Sequence, residues 1–129
     1  MDNRVMDEQS FHLRNVAHLG DAVYELFVRK ITINMTSDTQ KLHKLTTSFV
    51  RAEFQAELLQ NLSEYLTDEE ADIVRRARNI HTGTRKRANQ SEYRQSTAFE
   101  ALIGWLYLHN KARLDELFLL IKPSIVMPE

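Results

Sequence analysis

The sequence predicts an all-α fold in a single domain, and three observations lead to this prediction. The chain has 129 residues, enough to bury one hydrophobic core but too few for two. It contains only three glycines and two prolines. Apolar residues recur at spacings of three and four, and no strand-length run is bounded by a turn pair such as Asn-Gly. We therefore expect one helical domain over residues 1–129, with its core within about 11–121.

The first predicted helix covers residues 11–33, and its polar residues recur three or four apart on one face. Asp21 and Glu25 lie on that face, and Glu25 is expected to pair with Arg29 one turn later. Gly20 lowers helix stability by about 1 kcal/mol relative to alanine, which suggests close approach by another backbone or a ligand. The residues predicted to be buried are Leu13, Val16, Ala17, Ala22, Val23, Leu26, Phe27 and Ile31.

Two capping boxes mark the starts of later helices. Ser37-Asp38-Thr39-Gln40 predicts a second helix with Ser37 as its cap, which breaks near Phe49. A third helix follows and reaches about Leu66. Thr67-Asp68-Glu69-Glu70 is the second box and predicts a fourth helix that ends in a group of arginines.

The remaining chain predicts a loop and two helices. Residues 79–92 lack apolar periodicity and indicate an exposed loop. The next helix, about 93–109, is apolar on nearly every side, so it should be central and its Glu100 should lie at or near the interior. The last helix, about 111–121, ends before Pro123.

The net charge of −1 conceals a basic segment. Residues 75–94 carry seven basic side chains and one acidic side chain, whereas the rest of the chain carries ten basic and seventeen acidic ones. Such segregation produces a local positive field, which favours a nucleic acid or another polyanion as partner. The alternative is a solvated helix end and loop without a binding role.

The sequence also indicates a compartment. No apolar run approaches the roughly 18 to 20 residues that span a bilayer, and the first residues lack the pattern of a secretory signal. The chain has no cysteine, which agrees with a reducing environment and excludes thiolate metal sites. We expect a cytoplasmic protein without a membrane segment.

Asp21 and Glu100 are the candidate catalytic and metal-binding residues. An ionised carboxylate on a core helix is costly unless it is paired, hydrogen-bonded or bound to a metal. If the fold brings the two acids together, they suit Mg²⁺, or Mn²⁺ in its place, and with a basic surface nearby they suggest phosphodiester hydrolysis. The alternatives are a salt bridge from Glu100 to Arg14 or Arg94, and a solvated position for Asp21.

Several motifs occur in an order that resembles the ribonuclease III family. His18-Leu19-Gly20-Asp21-Ala22-Val23-Tyr24-Glu25-Leu26 is similar to its signature helix, and Ser96-Thr97-Ala98-Phe99-Glu100-Ala101-Leu102-Ile103-Gly104 to its second acidic motif. Within the family the chain resembles the Mini-ribonuclease III group, on the motifs Leu42-His43-Lys44, Phe49-Val50-Arg51-Ala52, Arg75-Arg76-Ala77-Arg78-Asn79 and Tyr93-Arg94. The resemblance extends from about Leu13 to Phe118.

The resemblance implies a Mg²⁺-dependent endonuclease that cuts double-stranded RNA as a homodimer and leaves 5′-phosphate and 3′-hydroxyl ends. The task it implies is trimming the ends of precursor 23S ribosomal RNA. Asp21 and Glu100 match the two catalytic, metal-binding acids. Arg14, Ala17 and Thr97 stand where longer family members have further acids, which bears on the number of metal ions bound.

The helical domain is expected to use the entire length of the chain, without a separate domain for double-stranded RNA. RNA binding is therefore assigned to the basic segment, with the candidate contacts Arg75, Arg78, Arg85, Lys86, Arg87 and Arg94. The signature helix around Leu19, Val23 and Phe27 is a candidate dimer interface, with plain core packing as the alternative.

Two other functions fit the sequence less well. A noncatalytic RNA-binding or ribosome-assembly module would use the basic surface alone, but it would gain nothing from acids that face a polyanion. A helical protein-interaction domain would bind its partner with little dependence on salt, whereas an RNA binder loses affinity steeply as salt rises.

Overall fold

The computed structural model describes the backbone of residues 3–80 and 90–128, and the side chains of residues 12–80 and 90–128. Within these ranges the chain is helical and contains no strand, which confirms the all-α prediction. The helices are α1 (Asn3–Thr32), α2 (Thr39–Val50), α3 (Ala52–Leu62), α4 (Asp68–Arg78), α5 (Gln90–His109) and α6 (Lys111–Ile121), with 3₁₀ turns at Ser63–Tyr65 and Lys122–Ser124. No helix in the described part of the chain is both long and apolar enough to cross a membrane.

The helix starts follow local capping chemistry. The box at Thr67 and Glu70 is confirmed, because the Glu70 backbone N–H donates to Thr67 Oγ1 at 3.1 Å and the Thr67 N–H donates to Glu70 Oε1 at 3.0 Å. The prediction that Ser37 caps α2 is wrong. Asp38 is the cap, since its carboxylate accepts from the backbone N–H groups of Gln40 and Lys41 at 2.9 and 3.0 Å.

Helix α5 is the centre of the fold, as its apolar composition predicted. It packs against α1, α3, α4 and α6. Its fully buried side chains include Phe99, Leu102 and Ile103. A helix covered on most sides has little exposed face, so the few polar groups along it need partners within the protein.

The predicted buried face of α1 is partly wrong. Tyr24 and Val28 are completely buried, whereas Ala22 is exposed and Leu26 is 61% exposed. The face turned towards α5 follows the spacing Leu13, Ala17, Gly20, Tyr24 and Val28, because the helices approach most closely at Gly20. The apolar pattern alone does not reveal which of two apolar stripes meets the neighbouring helix.

A buried ion pair joins α4 to α6. The Arg113 guanidinium donates to both oxygens of the Glu70 carboxylate, from Nε at 2.9 Å and from Nη2 at 3.0 Å, and Nη2 also donates to the Tyr65 carbonyl at 2.7 Å. Glu70 is only 3% exposed, and the same carboxylate completes the capping box of α4. The Glu70 carboxylate therefore links the start of α4 to α6.

Candidate active site

The site forms where α1 and α5 cross, and two glycines permit the crossing. A β-carbon on Gly20 would lie 1.7 Å from the backbone oxygen of Glu100, and one on Gly104 would lie 2.1 Å from the carbonyl oxygen of Val16. Any larger residue would collide with backbone, so the two helices touch backbone to backbone. The close approach predicted at Gly20 is therefore to another part of the chain.

The crossing brings Asp21 and Glu100 together. Asp21 follows Gly20 directly, and Glu100 precedes Gly104 by one helical turn. Burial of Glu100, the neighbouring Asp21 carboxylate and a hydrogen bond with Asp21 raise the pKa of Glu100 to about 8. Among the described residues, the side chains that act on this pKa are Asp21 and Gln55, with no arginine among them. Glu100 thus lies in an acidic pair rather than in the alternative salt bridge.

The donor set of this pair fits a hard divalent cation. Asp21 is exposed and Glu100 is half-buried, so the pair opens to solvent on one side. Mg²⁺ and Mn²⁺ prefer carboxylate oxygens and keep several water ligands, so one or two protein carboxylates suffice. Among the described residues, no group of three or more histidine, aspartate or glutamate side chains is placed to hold a metal. The catalytic and metal-binding roles of Asp21 and Glu100 stay predictions.

Gln55 and Ser96 adjoin the pair, and the sequence analysis missed both. Gln55 lies on the buried face of α3, where it is 1% exposed, and Ser96 precedes Glu100 by one turn on α5. Ser96 Oγ donates to Gln55 Oε1 at 2.9 Å, and Gln55 Nε2 donates to the Val50 carbonyl at 2.8 Å. One signal in the sequence could have identified Gln55: it is a polar residue at the helical spacing of Leu58 and Leu62, on a face that is otherwise apolar.

The predicted RNA-binding residues are spread over several environments. Arg75 pairs with Asp72, which also accepts from Arg76 at 3.0 Å. Arg78 lines a cleft of about 530 Å³ whose other walls include Glu53, Glu57 and Glu92. Arg94 is exposed near the start of α5. Arg85, Lys86 and Arg87 lie outside the described residues, as does most of the predicted loop. RNA contact by all six stays a prediction.

Two other polar residues of α1, Glu25 and His18, lie close to Asp21 in sequence. Glu25 pairs with Arg29 one turn later, as predicted. His18 is exposed one turn before Asp21, on the same side of the helix. This part of α1 therefore presents one exposed carboxylate, that of Asp21, beside the crossing with α5.

Comparison with known proteins decides the family. A model of the ribonuclease III domain matches residues 15–111, which include Asp21, Gln55, Ser96 and Glu100. The chain belongs to the ribonuclease III family. It is therefore an endoribonuclease, as the resemblance of its motifs predicted. Enzymes of this family act on double-stranded RNA as dimers and generally depend on a divalent metal.

Curated relatives and a solved structure agree with this assignment. The Mini-ribonuclease 3 of Clostridium tetani is 42% identical over 110 residues, which cover 82% of this chain and 73% of that protein. The Mini-ribonuclease 3 of Staphylococcus aureus is 39% identical over 127 residues, covering 91% of this chain and 92% of that protein. A crystal structure of a Fusobacterium nucleatum protein matches with a TM-score of 0.75 and 30% identity, and covers 86% of this chain and 91% of that one.

Proposed function

We propose that this ribonuclease III family member hydrolyses double-stranded RNA at the Asp21–Glu100 pair, with Mg²⁺, or Mn²⁺ in its place, held by the two carboxylates. The products are a 5′-phosphate and a 3′-hydroxyl end. The observation that carries the proposal is the crossing of α1 and α5, which places two acids from opposite ends of the chain side by side. Two adjacent carboxylates repel one another, and a divalent cation between them relieves that repulsion.

The two carboxylates have different surroundings and therefore different tasks. Asp21 is exposed, so it can meet an incoming phosphate and its water molecules. Glu100 is half-buried on the central helix, so its position is set by the protein. The chemistry that a bound cation supplies here is polarisation of the phosphate and a more acidic attacking water. The backbone contact at Gly20 and Gly104 brings together the two helices that carry these acids.

The substrate we assign is the stem that joins the two ends of precursor 23S ribosomal RNA. Arg94 on α5 and the basic residues that precede it in sequence supply charge for phosphate contacts. Arg75 and Arg78 contribute less, because Asp72 and the glutamates of the neighbouring cleft offset their charge. Most of the binding energy should therefore come from Arg85, Lys86, Arg87 and Arg94.

A homodimer fits this substrate, because two antiparallel strands need two cuts and a twofold axis supplies one site for each. An apolar surface on α1 and α6 supports the assignment. Leu26 and Leu119 are 61% and 69% exposed beside a groove of about 610 Å³ between these helices. Phe27 stacks on Phe118 in the wall of that groove, with ring centroids 4.0 Å apart. A second copy of this chain is the partner we assign to the surface.

A cleavage assay tests the proposal. The wild type and the variants Asp21→Asn and Glu100→Gln are incubated with an end-labelled RNA duplex, in Mg²⁺ or in chelator. Each variant should bind the duplex but lose about 100-fold or more in kcat, because each removes a carboxylate that would hold the cation. Glu64→Gln, which removes an exposed carboxylate in the turn after α3, is the matched control and should cut normally.

Two results would contradict the proposal. The first is wild-type cleavage that does not depend on a divalent cation. The second is normal turnover by both Asp21→Asn and Glu100→Gln. Salt-sensitive binding of the duplex with no cleavage in any cation would instead support a noncatalytic RNA-binding module.

A further inference from the structure

Gln55 is a buried polar residue hydrogen-bonded to Ser96, which lies one helical turn from Glu100. It lies on α3 at 1% exposure, in register with the fully buried Leu58 and Leu62. Placing an amide in such a position is costly unless both of its ends are hydrogen-bonded. A leucine of similar volume would satisfy the apolar surroundings without that requirement. The presence of an amide here therefore calls for an explanation other than core packing.

The hydrogen bonds fix which way the amide points. Gln55 Oε1 accepts from Ser96 Oγ at 2.9 Å, and Gln55 Nε2 donates to the Val50 carbonyl at 2.8 Å. A flip of the amide would place its N–H₂ against the hydroxyl and its oxygen against a carbonyl, so the observed orientation is strongly preferred. The amide nitrogen has a second hydrogen, and Gln55 acts on Glu100: burial and the Asp21 carboxylate raise the pKa of Glu100, and the interaction with Gln55 opposes them.

The position of Ser96 strengthens the argument. Ser96 and Glu100 are four residues apart on α5, so their side chains lie on the same side of the helix. Gln55 meets Ser96 from α3, and its amide is anchored at one end by Ser96 and at the other by the Val50 carbonyl at the end of α2. The anchored amide is thus held in one orientation against the residue one helical turn before Glu100.

We propose that Gln55 is a positioning residue for Glu100: its amide, anchored by Ser96 and the Val50 carbonyl, holds the Glu100 carboxylate towards Asp21 so that both can bind one divalent cation. This inference rests on the proposed function of the pair. Groups that orient a metal-binding carboxylate through hydrogen bonds commonly change metal affinity or activity by about 10- to 100-fold.

The test uses Gln55→Leu in the full-length chain. Isothermal titration with Mg²⁺ alone should give a Kd raised about 10-fold or more, because Glu100 loses the donor that orients it. At limiting Mg²⁺, kcat should fall by a similar factor and recover as Mg²⁺ approaches saturation, while KM for the RNA duplex stays unchanged.

Thr46→Val is the matched structural control. It removes another buried hydrogen bond, between the Thr32 and Thr46 hydroxyls at 2.9 Å, and this bond involves neither Asp21 nor Glu100. Thermal unfolding of each variant gives its loss of stability. Thr46→Val should bind Mg²⁺ as the wild type does, even where its melting temperature falls as far as that of Gln55→Leu.

Several outcomes separate the possibilities. Unchanged Mg²⁺ affinity in Gln55→Leu overturns the proposal, and so does an equal loss of affinity in Thr46→Val, which would mean a purely structural role. If Gln55→Leu does not fold, Ser96→Ala takes its place: weaker Mg²⁺ binding supports the proposal and unchanged binding contradicts it. If Asp21→Asn and Glu100→Gln also leave Mg²⁺ binding unchanged, the proposed function itself fails.

Discussion

Replacing Gly20 by alanine should separate α1 from α5 and damage both stability and the acidic pair. The new β-carbon would lie 1.7 Å from the Glu100 backbone oxygen, where ordinary contact begins near 3.4 Å. The neighbour is backbone and has no alternative rotamer, so α1 must move by most of that difference. Overpacking of this kind costs about 3 kcal/mol, and the better helix propensity of alanine offsets about 1 kcal/mol. We expect a net loss of about 2 kcal/mol or more.

Thermal unfolding measures this loss. At about 4 °C per kcal/mol for a chain of this size, the melting temperature should fall by about 8 °C. Gly104→Ala should behave alike, because its β-carbon would lie 2.1 Å from the Val16 carbonyl oxygen. Thr47→Ala is the control, since it introduces alanine at an exposed position of α2 and should leave stability nearly unchanged. A Gly20→Ala protein as stable as the wild type would refute the reasoning about the helix crossing.

Three further predictions follow from the same structure. The folded-state pKa of Glu100 (about 8) exceeds its ordinary value of 4.5, so without metal the folded protein retains a proton that the unfolded chain has lost. The contribution of Glu100 to the free energy of unfolding should therefore decline by about 1.4 kcal/mol per pH unit between pH 4.5 and 8. In chelator, the melting temperature of Glu100→Gln should depend less on pH than that of the wild type. Arg113→Ala should lower the free energy of unfolding, measured by denaturant titration, by about 2–4 kcal/mol, because it leaves the buried Glu70 carboxylate without its cation. The control Asp72→Ala breaks only exposed ion pairs and should have a much smaller effect. Leu26 lies in the proposed dimer interface, so Leu26→Glu should convert the proposed dimer to a monomer in light scattering without loss of helical circular dichroism. A dimer that persists in this variant would exclude this surface as the interface.

Helix positions were largely predictable from sequence, because capping and apolar periodicity act over only a few residues. The box at Thr67 required no tertiary contact, and the apolar composition of residues 93–109 was enough to predict a central helix. The sequence-based predictions were wrong where two neighbouring residues could each fill the same structural role. Ser37 and Asp38 are both acceptable caps, and Asp38 alone has its carboxylate against the free backbone N–H groups. On α1, Leu26 and Tyr24 are both apolar enough for the core, and the contact with α5 decides between them.

The sequence by itself determined the family and most of the helices, because both are encoded in short stretches of chain. It also predicted Asp21 and Glu100 as the catalytic acids. Only the tertiary structure decided that Asp21 and Glu100 meet, since they lie 79 positions apart in the sequence and their approach depends on two glycines that let α1 and α5 touch. It also decided that Gln55 belongs beside the site. The role of a glutamine on an apolar helix face is ambiguous until its partners are known, and its partner Ser96 comes from a distant helix, one turn from Glu100. Long-range packing, which no local pattern records, turns these separate residues into one site.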